Sequence, residues 1–186
     1  MKIRAFIAIP VSDEAAAAFN NVQAELMESA ADVKWEKPDK FHVTVKFLGD
    51  IDESILAELG RELNDSLGKR PAFDLNYATV GAFPERGVPR VVWIGAESTE
   101  TILRIQEDVE RVAAAHGIPR ESRPFQVHIT LGRVKGTRNV DRLTARLKSV
   151  TFKPLIVRCT HVHIIRSELK PSGSVYTLLK SIPLAL

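Results

Sequence analysis

Apolar side chains crowd the start of the chain, where Ile3 to Pro10 predicts a buried first strand. Ser12 or Asp13 can cap a helix from Glu14 to about Glu28, whose alanines favour that conformation. Val33-Lys34-Trp35 predicts a short strand ended by Pro38, and Phe41 to Leu48 alternates as a strand that stops at Gly49-Asp50. Asp52 then caps a helix to about Leu67, with Ile55, Leu56, Leu59 and Leu63 on one face and Gly68 at its end. Phe73 to Phe83 and Arg90 to Ile94 predict paired strands around the turn chemistry of Pro84-Glu85-Arg86-Gly87. Ser98 or Thr99 opens a helix to about His116, closed by Gly117 and Pro119; a cationic side chain at His116 suits the helix dipole. Gln126 to Val134 predicts a strand, and Thr137 or Asn139 opens a helix to about Leu147. Phe152 to Arg166 contains one long alternating strand, and Val175 to Lys180 forms the last, after a turn at Pro171-Ser172-Gly173.

Two of these strands carry one pattern: His42-Val43-Thr44-Val45 and His128-Ile129-Thr130-Leu131. Side chains two apart on a strand share a face, so each copy sets an imidazole and a hydroxyl opposite two apolar groups. One His-x-Thr is a weak signal, since threonine favours strands and a strand histidine is commonly a surface or satisfied core residue. The second copy changes that. Pro38 and Pro124 each precede their histidine by four residues, and each motif strand runs through a short loop into a helix. The histidines lie 86 residues apart (128 minus 42). This order predicts an α+β fold of two pseudo-symmetric lobes, each with an antiparallel sheet and outer helices, contributing one motif strand apiece to a central cleft. Residues 1–186 are expected to form a single bilobal domain, since no linker or low-complexity stretch divides them. Paired histidines can divide proton transfer, one giving while the other takes, and threonine hydroxyls can hydrogen-bond a phosphate.

Composition narrows the possibilities. The formal charge is +3 and the chain is 45% hydrophobic, ordinary for a folded protein with an anionic partner permitted but not required. Arg120 to Lys148 holds eight basic residues against two acids, Glu121 and Asp141, and brackets the second motif. Arg142, Arg146 and Lys148 also fit a solvated helix face. Arg133 lies on the motif strand itself, yet strict alternation turns it away from His128 unless a bulge at Gly132 or a strand end brings it round. No apolar run approaches the roughly 20 residues needed to span a bilayer, and the first residues lack a signal peptide's pattern, so a cytoplasmic protein with no membrane partner is expected. Cys159 is the one cysteine, which rules out an internal disulfide and a cysteine-rich zinc site. Glycine-rich phosphate loops, Gly-x-Ser-x-Gly and His-Glu-x-x-His are all absent, which disfavours triphosphate hydrolysis, serine esterase and zinc protease chemistry.

His161 and His163 alternate along a strand with Cys159 on the same face, a spacing that zinc can use. No acidic or histidine cluster lies near in sequence, so a polar strand face is the preferred reading. Trp35 and Trp93 read as core or lobe-interface residues, and Phe41, opposite in direction to His42, as core.

At these positions the chain resembles the 2H phosphoesterase superfamily, defined by paired His-x-Thr-x motifs. Within it the chain resembles the RNA 2′,3′-cyclic phosphodiesterases, historically called 2′-5′ RNA ligases. The likeness rests on Arg4-Ala5-Phe6-Ile7-Ala8-Ile9, on Trp35, on His42-Val43-Thr44-Val45-Lys46-Phe47-Leu48-Gly49 and on His128-Ile129-Thr130-Leu131-Gly132-Arg133. Family members often carry proline before the second histidine; here Val127 stands there, which suits a strand. The resemblance implies a water-filled cleft between the lobes and a metal-independent, cofactor-free hydrolysis of an RNA-terminal 2′,3′-cyclic phosphate to a 2′-phosphate. By it, His42 donates a proton to the departing 3′ oxygen, His128 accepts one from the attacking water, and Thr44 and Thr130 bind the non-bridging oxygens. Arg133 is a further candidate for substrate binding through a charge-assisted contact. RNA ends or nucleoside 2′,3′-cyclic phosphates are the expected substrates, and a monomer the expected state. Reverse 2′-5′ ligation at the same histidines is a second activity, and a non-catalytic RNA-end binding module is the alternative.

Overall fold

A computed structural model describes residues 1–171 and 173–186; the predicted turn at Pro171-Ser172-Gly173 includes Ser172, which lies outside them. The strands are β1 (Lys2–Pro10), β2 (Val33–Trp35), β3 (His42–Asp52), β4 (Phe73–Phe83), β5 (Val91–Ala96), β6 (His128–Val134), β7 (Leu155–Cys159), β8 (His161–Lys170) and β9 (Gly173–Pro183). The helices are α1 (Asp13–Met27), α2 (Leu56–Leu67), α3 (Glu100–Ala115) and α4 (Val140–Ser149). The strands follow the order β7-β4-β5-β6-β3-β1-β8-β9, with β2 on β6, and neighbours run antiparallel. One lobe is β3-β1-β8-β9, the other β6-β5-β4-β7 with β2. They meet along β3 and β6 through the paired residues Val43 and Ile129. This is the α+β, two-lobed architecture that the repeated pattern predicts.

Helices cross between the lobes. Helix α1 follows β1 of the first lobe but packs on the second: Phe19 lies 4.9 Å from Tyr77 of β4, and Gln23 donates to the Leu131 carbonyl of β6. Helix α3 follows β5 of the second lobe but lies against α2 and β3 of the first. Adding the 86-residue step carries β1, α1, β3, α2 and β4 closely onto β5, α3, β6, α4 and β8. The duplication thus extends through five elements, and each copy is shared between lobes.

The caps follow expectation at two helices: Ser12 accepts from the Ala15 amide and Thr99 from the Ile102 amide. Asp52 caps a 3₁₀ turn, Glu53–Ile55, that leads into α2, whose buried side is Leu59, Leu63 and Leu67. Asn139 precedes α4 in the left-handed region at φ 53° and makes no side-chain cap. Three boundaries differ more. Strand β3 does not stop at Gly49 but runs on to Asp52, because β1 keeps pairing with it through Lys2. The expected long strand within Phe152–Arg166 is two strands: Thr160 separates β7, which pairs with β4, from β8, which pairs with β1. That break also separates Cys159 from the two histidines. Cys159 is buried in the core, where its thiol is pushed up to about 12 chiefly by burial, whereas His161 and His163 are partly open. No described helix is long and apolar enough to cross a membrane.

Candidate active site

Burial alternates along both motif strands as the pattern demands. Val43, Val45, Ile129 and Leu131 are buried, and His42, Thr44, His128 and Thr130 are partly open on the other face. Val43 is paired with Ile129, so the antiparallel register sets His42 across from Thr130 and Thr44 across from His128. The four polar side chains of two distant segments therefore occupy adjoining corners of one patch at the seam between lobes.

Each imidazole is held the same way. Nδ1 of His42 lies 2.7 Å from the Lys40 carbonyl and Nδ1 of His128 lies 2.9 Å from the Gln126 carbonyl. A carbonyl can only accept, so Nδ1 carries the hydrogen and Nε2 is left for chemistry. Nε2 of His42 is 3.0 Å from the Thr44 hydroxyl. Burial pulls His42 below its ordinary value of 6.5; the Lys40 carbonyl opposes this, and the positive charges of His128 and Arg133 add to it. Burial likewise lowers His128, with the Gln126 carbonyl opposing and Arg133 contributing. That Arg133 acts on both histidines places it beside the pair.

A bulge turns Arg133 to this face. Val92 pairs with Gly132 but Trp93 with Thr130, so β6 carries Leu131 as an extra residue. Leu131 and Gly132 are both buried, and Arg133 emerges exposed. The first motif strand has the same device: Ile7 pairs with Lys46 and Ala8 with Thr44, leaving Val45 extra. Val45 and Lys46 are buried, and Phe47 emerges 60% exposed. Phe47 thus occupies, five residues after its histidine, the place that Arg133 holds after the other. Lys46, turned inward, donates to Glu110 of α3 at 2.7 Å and to the Pro119 carbonyl at 2.8 Å. Gly132 is required by packing, since a Cβ there would come within 2.7 Å of Val33 and 2.8 Å of Trp35.

Aromatic rings flank both histidines. Phe6 and Tyr176 lie 4.8 Å and 5.6 Å from His42, and Phe83 stands edge-on to His128 at 5.1 Å. Lys40 ties Tyr176 down, its ammonium over the ring and bonded to the Ser174 carbonyl. Trp93, expected in the core or at the lobe interface, packs beside Phe83. Its Nε1 is buried with no hydrogen-bond partner among the described residues, a cost of about 1–3 kcal/mol. Sequence pattern alone does not reveal Phe6, Tyr176 or Phe83 as neighbours of the site. For Phe47 a signal existed in its offset from His42, matching Arg133 and His128. His161 and His163 are 6.4 Å apart on β8, and no group of three or more His, Cys, Asp or Glu side chains is gathered for a metal among the described residues.

Paired His-x-Thr strands meeting at the seam of a duplicated α+β fold define a two-histidine phosphoesterase. The chain belongs to the LigT-like phosphoesterase family, a branch of the 2H superfamily, whose model matches residues 9–93 and again 94–176. It is 34% identical over 180 residues to a protein of Methanothermobacter thermautotrophicus named RNA 2′,3′-cyclic phosphodiesterase, with 95% of this chain and 96% of that one covered. A Thermotoga maritima protein of the same name is 30% identical, with 95% and 93% covered. Among solved structures, TT0787 of Thermus thermophilus superposes with a TM-score of 0.82 at 28% identity, covering 97% of each chain. Escherichia coli LigT complexed with 3′-AMP gives 0.82 at 22% identity with full coverage of both chains, a likeness of fold.

Proposed function

We propose that this chain is a metal-independent RNA 2′,3′-cyclic phosphodiesterase, with His42 as proton donor and His128 as proton acceptor. The observation that carries the reading is the register at Val43 and Ile129, which sets two carbonyl-anchored histidines and two threonines on one patch. The names of the relatives point the same way. Water attacks phosphorus opposite the oxygen that leaves, so acid and base must approach from different sides. His128 takes a proton from water as its oxygen bonds to phosphorus. The bond from phosphorus to the 3′ oxygen breaks, and His42 protonates that oxygen, leaving a 2′-phosphate. Thr44, Thr130 and Arg133 hold the non-bridging oxygens as their charge grows. Phe47, exposed on the same face, offers a stacking surface to the substrate's base. With a 5′-hydroxyl in place of water, the same proton roles would join a 2′,3′-cyclic end to that hydroxyl through a 2′-5′ linkage; the reverse reaction cleaves that linkage.

Product analysis tests this. A nucleoside 2′,3′-cyclic phosphate incubated with the protein is expected to yield the 2′-monophosphate, at a rate that a chelator leaves unchanged. Formation of the 3′-isomer reverses the assignment of the leaving oxygen, and loss of rate with chelator removes the metal-free mechanism. Salt-sensitive RNA binding without turnover favours the non-catalytic module instead.

A further inference from the structure

The two histidines are equivalent in the duplication but differ in what lies beside them. His42 is roofed by Phe6 and Tyr176. His128 borders a pocket of about 150 Å³. Trp93 forms part of its wall, the indole lying over Gly81 and Gly95, where a Cβ would come within 2.6 Å and 2.8 Å of the ring. Phe83 supplies a second aromatic wall, and Glu85, Ser98 and Gln126 supply polar edges. Among the described residues that line the pocket there is no lysine or arginine. A carboxylate without a basic partner repels a phosphate and accepts from N–H or O–H donors. The volume is about half the roughly 300 Å³ at the small end of ligand sites, room for one ring system rather than a nucleotide.

We propose that this pocket is an acceptor subsite, which seats the uncharged base of a nucleoside whose 5′-hydroxyl attacks in place of water. The inference rests on the proton roles proposed above. Attacking and leaving oxygens lie in line through phosphorus. The ribose bearing the cyclic phosphate therefore lies on the His42 side, and whatever the nucleophile carries extends from the His128 side, where the pocket opens. In the transfer, O5′ bonds to phosphorus and gives its proton to His128, the bond to O3′ breaks, and His42 protonates O3′. The product is a 2′-5′ phosphodiester, and no other reactant is needed.

The test is a partition experiment with a 5′-phosphorylated nucleoside 2′,3′-cyclic phosphate, which cannot act as its own acceptor. Increasing guanosine or cytidine is added, with methanol as a non-binding acceptor. The ratio of transfer product to 2′-phosphate is expected to saturate with the nucleoside and to rise linearly with methanol. Ser98→Trp, which fills the pocket from an exposed position, is expected to lower the nucleoside ratio at least tenfold and leave the methanol ratio within twofold. A nucleoside ratio that stays linear, or that Ser98→Trp does not move, overturns the subsite. So does competitive inhibition by the nucleoside against the cyclic phosphate, which places the base pocket on the donor side. Hydrolysis without saturable transfer defeats this inference alone; absence of any turnover defeats the phosphodiesterase reading with it.

Discussion

Two backbone carbonyls decide what each motif imidazole can do. By accepting from Nδ1, Lys40 and Gln126 leave Nε2 of His42 and His128 as the groups that can meet a substrate. His42→Ala and His128→Ala are each expected to cut kcat by about two or more orders of magnitude, with circular dichroism unchanged; full turnover in either variant ends its proton role. In the proposed mechanism the active form has His42 protonated and His128 neutral. Rate therefore falls with rising pH as His42 loses its proton and with falling pH as His128 gains one. Burial, the neighbouring histidine and Arg133 hold His42 below 6.5, and burial and Arg133 do the same for His128. The bell of kcat/KM is thus expected to peak below pH 6.5. Removing the positive charge in Arg133→Gln favours both imidazolium forms, so both limbs move to higher pH while KM rises. Unmoved limbs show that Arg133 does not face the pair.

Matching bulges in β3 and β6 do what unbroken strands cannot. Each sends two successive residues inward and brings Phe47 or Arg133 out beside its histidine. One inward residue, Lys46, forms a buried ion pair with Glu110, and Glu110 also accepts from the Glu121 amide on the path to His128. Glu110→Ala strands the buried ammonium and is expected to cost about 3–5 kcal/mol, whereas Lys46→Met with Glu110→Leu is expected to recover most of that. Urea midpoints of the three proteins measure it, and an Ala variant as stable as the parent removes the anchoring role. Gly132→Ala is expected to push β2 and Trp35 away from β6 and to lower both stability and activity, read from thermal melts and initial rates. The histidine faces were legible because alternation is a local property of a strand. The bulges were not, since an extra residue is defined only against the partner strand. Thr160 hid its break for the same reason: Ile156 to Arg166 alternates well enough, but its two halves pair with strands of different lobes, β4 and β1.

At the scale of the molecule, the doubled motif disclosed two lobes but not how the chain threads them. Contacts such as Gln23 to Leu131 and Lys46 to Glu110 join residues far apart in sequence, and no periodicity announces them. Along the chain, passage from one lobe to the other occurs after β1, β2, α2, β5, α3 and β7. Residues 1–186 are therefore proposed to be one cooperative domain. Calorimetry is expected to show one transition, with the calorimetric and van't Hoff enthalpies equal, and a fragment of residues 1–96 is expected not to fold. Two resolved transitions or a stable fragment refute the single unit. An enzyme whose halves hang on one or two linkers can bite down on its substrate by bending there. Six strands of covalent stitching between these halves deny that freedom. On the proposed function, the site is expected to act as a fixed jaw that admits an RNA end whose shape already suits it, with discrimination resting on contour and charge.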